Sequence, residues 1–197
     1  MRAPDQPLPE LAIRDPRLPL WLGPKRSAIL CVVFGELDRG VREEPAGSNR
    51  GSRIDLYLPR WARTRPGPPW CAWFATWVLE QALGDQNALG RTGGTSTLTA
   101  RAQVADLWRP RASYLPSPGD LFMMRTGRGK GHVGFVAGYR AGRIETVEGN
   151  SGDRVRHGAR ELADERITGF ICSVPEEAFE SCWWTGSGED AAEMGTR

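Results

Sequence analysis

The feature that most constrains this chain is a change of texture near Pro116. Ahead of it, apolar residues recur at helical spacing; beyond it, short apolar runs alternate with glycine-rich turns. Strands joined by links of hairpin length cannot make the long crossovers that a parallel sheet needs. Helices first and consecutive strands second therefore predict an α+β fold, with N-terminal helices packed on an antiparallel β-sheet. With 197 residues, 40% of them hydrophobic, the chain has enough apolar content for one real core plus extensions.

In the first half, the apolar positions 29, 30, 33, 34, 37 and 41 predict a helix from Ser27 to about Arg42. A turn-rich loop follows over 43–51, and helical spacing resumes from Ile54 to about Arg63. Pro68-Pro69-Trp70 then precedes Cys71 and an apolar run that reaches Gly84. Prolines are tolerated just before a helix and glycine often ends one, so a helix is expected to start at Cys71 and stop at Gly84. A further short helix is expected over Thr99–Trp108. In the second half, strands are expected at Leu121–Met124, His132–Tyr139, Ile144–Glu148, Val155–His157 and Ile167–Val174, with a hairpin turn at 140–143. Residues 1–26, with six prolines, read as an arm, residues 27–175 as the folded domain, and residues 176–197 as an acidic Gly/Ser-rich tail whose Phe179, Trp183 and Trp184 would dock.

Charge and cysteine usage exclude several function classes. A net charge of +2 predicts no strong attraction to nucleic acid, and the basic residues, nearly all arginine, are scattered along the chain. No run reaches the ~18–20 apolar residues of a membrane span. The N-terminal arm lacks the apolar core of a signal peptide, so synthesis in the cytoplasm without one is expected. The four cysteines (Cys31, Cys71, Cys172, Cys182) form neither a disulfide framework nor a C-x-x-C zinc motif, and no metal or cofactor is expected. Cys31 and Cys172 lie inside apolar runs, as reduced core residues would.

Cys71 differs from them. In the first turn of its helix it meets unpaired backbone N–H groups and the positive end of the dipole, which favour a thiolate. A cysteine nucleophile needs a base, and the chain has two histidines. His157, flanked by arginines, reads as a surface residue. His132 opens a strand after a glycine-rich loop, and parity puts it on one face with Gly134 and Val136, leaving that face open two residues on. After the next hairpin, Glu148 falls near position 135 and Asn150 follows across Gly149; either side chain comes within range of the imidazole to fix its tautomer.

The stretches Trp70-Cys71-Ala72-Trp73-Phe74, Pro118-Gly119-Asp120-Leu121-Phe122, Gly131-His132-Val133-Gly134-Phe135-Val136 and Glu148-Gly149-Asn150 together resemble the CHAP family. These are the cysteine, histidine-dependent amidohydrolases/peptidases, a branch of the papain-like fold that mostly cleaves amide bonds in peptidoglycan. The resemblance implies that Cys71 is the nucleophile, that His132 is its base and later acid, and that Glu148 and Asn150 orient the imidazole, Glu148 as the direct partner. It implies an oxyanion contact from the Cys71 N–H and a bacterial peptidoglycan peptide as substrate. Residues 63–70 hold no glutamine for the second oxyanion donor that papain-like enzymes often use; Asn49 or Arg50 would have to approach instead. Trp70 is expected to line the cleft, Trp73 and Trp77 to anchor the helix, and Asp120 to cap a turn. A monomer is expected, reaching the wall through a secretion system, a holin or lysis. The alternatives are the same chemistry on another amide, such as a peptidyl-polyamine or a host protein, and a catalytically silent binding module.

Overall fold

The computed structural model describes residues 15–127 and 129–177; the expected docking of Phe179, Trp183 and Trp184, and Cys182, lie outside them. The helices are α1 (Pro24–Asp38), α2 (Ile54–Tyr57), α3 (Cys71–Leu83) and α4 (Thr95–Val104). The strands are β1 (Trp108–Pro110), β2 (Leu121–Gly127), β3 (Lys130–Arg140), β4 (Arg143–Glu148), β5 (Arg156–Glu161) and β6 (Ile167–Ile171). They form one six-stranded sheet in the order β1-β6-β2-β3-β4-β5, antiparallel at every pairing. The α+β architecture is thus the one that the change of texture predicts.

Several element ends differ from expectation for local reasons. α1 begins at Pro24, a residue suited to the first helical position, and ends before Gly40, whose φ is +60°. The expected helix over 54–63 divides at Pro59 into α2 and a 3₁₀ turn at Arg60–Ala62, because proline cannot continue a helical hydrogen-bond ladder. α4 starts and stops four residues earlier than expected: Asp106 takes a φ of +54°, and Trp108 leaves to pair with Ile171 as the edge strand β1. α3 spans the predicted residues, and Gly84 ends it at a positive φ of 55°.

Side-chain alternation divides the sheet between two cores. Leu121 and Met123 of β2, Val133 and Phe135 of β3, Val147 of β4 and Ile171 of β6 join the helices in the larger one. Phe122, Met124, Val136, Ile144, Ile167 and Phe170 form the second, on the opposite face. The sheet curls around this second core, bringing the Arg160 guanidinium of β5 to 5.9 Å from the Phe122 ring of β2, although β3 and β4 lie between them in the ladder. The chain before residue 27 takes part in the helical layer, with Leu18 and Leu22 buried.

Two features of this frame set up the site. The Pro118-Gly119-Asp120 turn is locked by a fully buried ion pair, Arg26 Nη1 to Asp120 Oδ1 at 2.8 Å, and Asp120 also accepts from the Ser117 N–H and the Tyr114 hydroxyl. Its role is structural, as the sequence suggests. The second feature is a β-bulge at Ala137. Tyr139 pairs with Ile144, as the hairpin turn predicts, but beyond the bulge Val136 pairs with Thr146 and Phe135 with Val147. The extra residue shifts Glu148 from the expected position 135 to the level of Gly134. Because residues opposite one another share a face, this one-residue slip moves Glu148 onto the face that carries His132.

Candidate active site

α3 begins at Cys71, with Trp70 as its N-cap residue. The first amide with an intrahelical acceptor is that of Phe74, which bonds the Trp70 carbonyl at 2.8 Å. The N–H groups of Cys71, Ala72 and Trp73 therefore belong to the unpaired set at a helix start, and they concentrate positive potential around the thiol. Phe74 presses onto the end of β4 with no room to spare: a Cβ at Gly149 would lie 2.6 Å from its ring. Glycine at 149 lets α3 close onto the Glu148-Gly149-Asn150 segment.

His132, at the start of β3, stands between the helix and that segment. Its Nε2 is 2.9 Å from Glu148 Oε2, which leaves Nδ1 for Cys71, whose thiol lies near enough to act on the ring. Burial by itself would lower the imidazole pKa; the bonds to Cys71 and Glu148 outweigh it and raise the pKa to about 9. Glu148 is buried, which alone would raise its pKa, but His132, Arg160 and Thr146 hold the carboxyl down to about 2. Arg160 reaches it bidentately, Nη2 at 2.9 Å from Oε1 and 2.7 Å from Oε2, and the Thr146 hydroxyl donates to Oε1 at 2.7 Å. The face beside His132 is not open as parity predicts. A Cβ at Gly134 would fall 2.7 Å from the Phe122 ring and 2.8 Å from Glu148 Cγ, so the glycine makes room for those two side chains.

Asn150 turns away from the imidazole. With a φ of +57° its side chain faces the start of α3, where its amide oxygen accepts the Trp70 N–H at 3.0 Å and its NH₂ donates to Glu43 Oε1 at 3.3 Å. Glu43, which sequence reasoning missed, also accepts the Trp70 indole N–H at 2.9 Å and the Asn49 N–H at 2.7 Å. Asn49 is thereby tied to the same carboxylate through its backbone. Trp70 does not line a cleft. It is fully buried, against Tyr57 and Phe74, with its one polar atom spent on Glu43. Trp73 is buried and meets Trp61 edge-on, whereas Trp77 is only partly buried. His157 is half exposed on β5, as expected.

Arg160, Thr146 and Glu43 thus complete the arrangement. Only Thr146 carried a signal, its parity with Glu148 along β4. A groove of about 860 Å³ runs beside His132, bordered by Met124 and Arg125 on one side and Asn150 and Ser151 on the other. Among the described residues, no group of three or more His, Cys, Asp or Glu side chains could hold a metal ion. No helix among them is long and apolar enough to cross a membrane. A buried thiol on a protonatable imidazole that an ionised carboxylate braces is equipped for nucleophilic acyl transfer.

No curated protein matches the chain. Among solved structures, the crystal structure of Ly7917 with the hydrolyzing product of MDP is similar to it at 17% identity and a TM-score of 0.49; the match covers 74% of this chain and 61% of that one. Residues 63–150, from before Cys71 through Asn150, match the family model of the CHAP domain. Over those residues the chain is similar to a CHAP domain.

Proposed function

We propose that the protein is a thiol-dependent amidohydrolase that cleaves an amide bond of bacterial peptidoglycan. The observation that carries this reading is the continuous contact from Cys71 through His132 to Glu148 at the start of α3. The CHAP-domain match over 63–150 supports the same chemistry. The Cys71 sulfur, its proton on His132 Nδ1, attacks the scissile carbonyl carbon. The oxyanion that forms is met by the Cys71 N–H, a kind of contact worth about 10²–10³ in rate. As the C–N bond breaks, His132 returns the proton to the leaving amine and a thioacyl-enzyme remains. Water then attacks it, giving its proton to His132, and the carboxylate product leaves as the thiol is restored.

Throughout, Glu148 keeps the ring oriented and stabilises the imidazolium, as a carboxylate partner does in other nucleophile–base relays. Arg160 and Thr146 keep Glu148 ionised and in place. Asn150 positions the start of α3 relative to β4. Purified protein is expected to release soluble fragments from purified peptidoglycan, and mass spectrometry of the products assigns the bond as muramoyl–alanine or one within the peptide. Activity that survives Cys71→Ala would overturn the reading.

A further inference from the structure

We infer that the groove beside His132 recognises a carboxylate on the peptide substrate, with Arg125 as the anchoring side chain. The inference rests on the amidohydrolase reading and adds to it a preference for acidic peptides.

Among the described residues, the lining of the groove contains three arginines, Arg125, Arg160 and Arg166, and no aspartate or glutamate. Two of the three are already neutralised. Arg160 is held bidentately by Glu148, and Arg166 forks onto Asp164 with Nη2 2.7 Å from Oδ2. Arg125 is different: it is exposed on the groove wall, and among the described residues no carboxylate or carbonyl meets its guanidinium. Its backbone is held in place: the N–H bonds the Arg166 carbonyl at 2.8 Å, and its cross-strand partner is Gly131, the residue before His132. Gly127 and Gly129 also border the groove, and a Cβ at either would meet nothing within 4 Å.

An unpaired guanidinium in a groove without acids is a ready fork for a carboxylate, which it grips bidentately where a lysine would offer a point charge. A peptide lying in the groove beside His132 would pass Arg125, which lines the same groove. An acidic group there finds a partner; a neutral amide finds only solvent. Since Arg125 is exposed, its effect is salt-sensitive and modest, of the order measured for single surface ion pairs.

The test has two arms. In the first, Cys71 is alkylated with iodoacetate and with iodoacetamide, and the ratio of the two rates is compared between wild type, Arg125→Gln and Arg125→Lys. The ratio is expected to fall roughly two- to fivefold in Arg125→Gln, to be largely kept in Arg125→Lys, and to shrink in 1 M salt, where the Debye length is about 3 Å. In the second, kcat/KM is measured for a peptidoglycan stem peptide with free carboxylates and for the same peptide with carboxamides. Wild type should favour the acidic peptide, chiefly in KM, and Arg125→Gln should lose that preference. Fast alkylation with a ratio that Arg125→Gln leaves unchanged overturns the inference but not the amidohydrolase. A shifted alkylation ratio with no peptide preference shows that small anions bind but substrate recognition lies elsewhere, which also overturns it. If Cys71 reacts with neither reagent faster than Cys31, the nucleophile itself is refuted and the inference falls with it.

Discussion

Two buried carboxylates flank the start of α3, and they do different work because their donors differ. Glu148 is surrounded by groups that carry or gain charge: the Arg160 guanidinium, the His132 imidazole and, as the neutral member, the Thr146 hydroxyl. Glu43 is met by three neutral donors, the Asn49 N–H, the Trp70 indole and the Asn150 amide. In the proposed reaction the first set stabilises a negative charge against the proton that His132 takes up and returns. The second fastens three segments, the 43–50 loop, the residue before the nucleophile and the end of β4, into one frame. One carboxylate tunes the imidazole, and the other holds the parts at the spacing the imidazole needs.

Substitutions should separate these roles. The largest catalytic effect outside the Cys–His pair is expected for Glu148→Gln, which keeps the shape and removes the charge. His132 then loses one of the two bonds that hold its pKa near 9, and the alkaline limb of the rate profile should move down toward the ordinary histidine value of about 6.5. The rate should fall by one to several powers of ten, about the scale of positioned acid–base catalysis. The same variant should change acid stability. Glu148 has a pKa of about 2 when folded, below its unfolded value of about 4.3. Its contribution to stability is therefore present above that unfolded value and lost as pH falls toward 2. Acid unfolding followed by circular dichroism should be flatter in Glu148→Gln over that window.

Glu43→Gln should act mainly on stability. Glutamine brings an NH₂ group toward three donors, and a buried donor left without an acceptor costs about 1–3 kcal/mol. A melting temperature lower by several degrees is expected, about 2–4 °C per kcal/mol for a chain of this size, while the alkaline limb stays where it is in wild type. A shift of that limb equal to that of Glu148→Gln would erase the distinction between the two carboxylates. Thr146→Val should give the smallest effect. It removes one of several bonds to Glu148, and Arg160 remains to hold the carboxylate, so a loss of less than about tenfold in kcat is expected.

What the sequence made legible follows from how local each feature is. The start of α3 is written in adjacent residues, Pro69-Trp70-Cys71 and the apolar run to Gly84, and it appears as read. The roles of Cys71 and His132 as partners came from residue types and their order. The bulge at Ala137 has no local mark, since Val136-Ala137-Gly138 reads as ordinary strand, yet it decides which face Glu148 occupies. Trp70, expected to line the cleft while Trp73 and Trp77 anchor the helix, is itself buried, and nothing near it in the chain marks its partner. The indole turns beneath the helix to a carboxylate 27 residues earlier in the chain. Arg160 is equally hidden, because only the curl of the sheet brings β5 over Phe122 and onto Glu148. Contacts between distant segments are where a reading by pattern ends.

In the proposed relay, Cys71 and Glu148 together hold the His132 imidazole protonated well past neutrality. An NMR titration of the His132 ring, assigned against a His157→Gln variant, tests it most directly. A midpoint near pH 9 is expected in wild type, lowered when either Cys71→Ala or Glu148→Gln is introduced. A midpoint near 6.5 in the wild type, unmoved by either substitution, would contradict it.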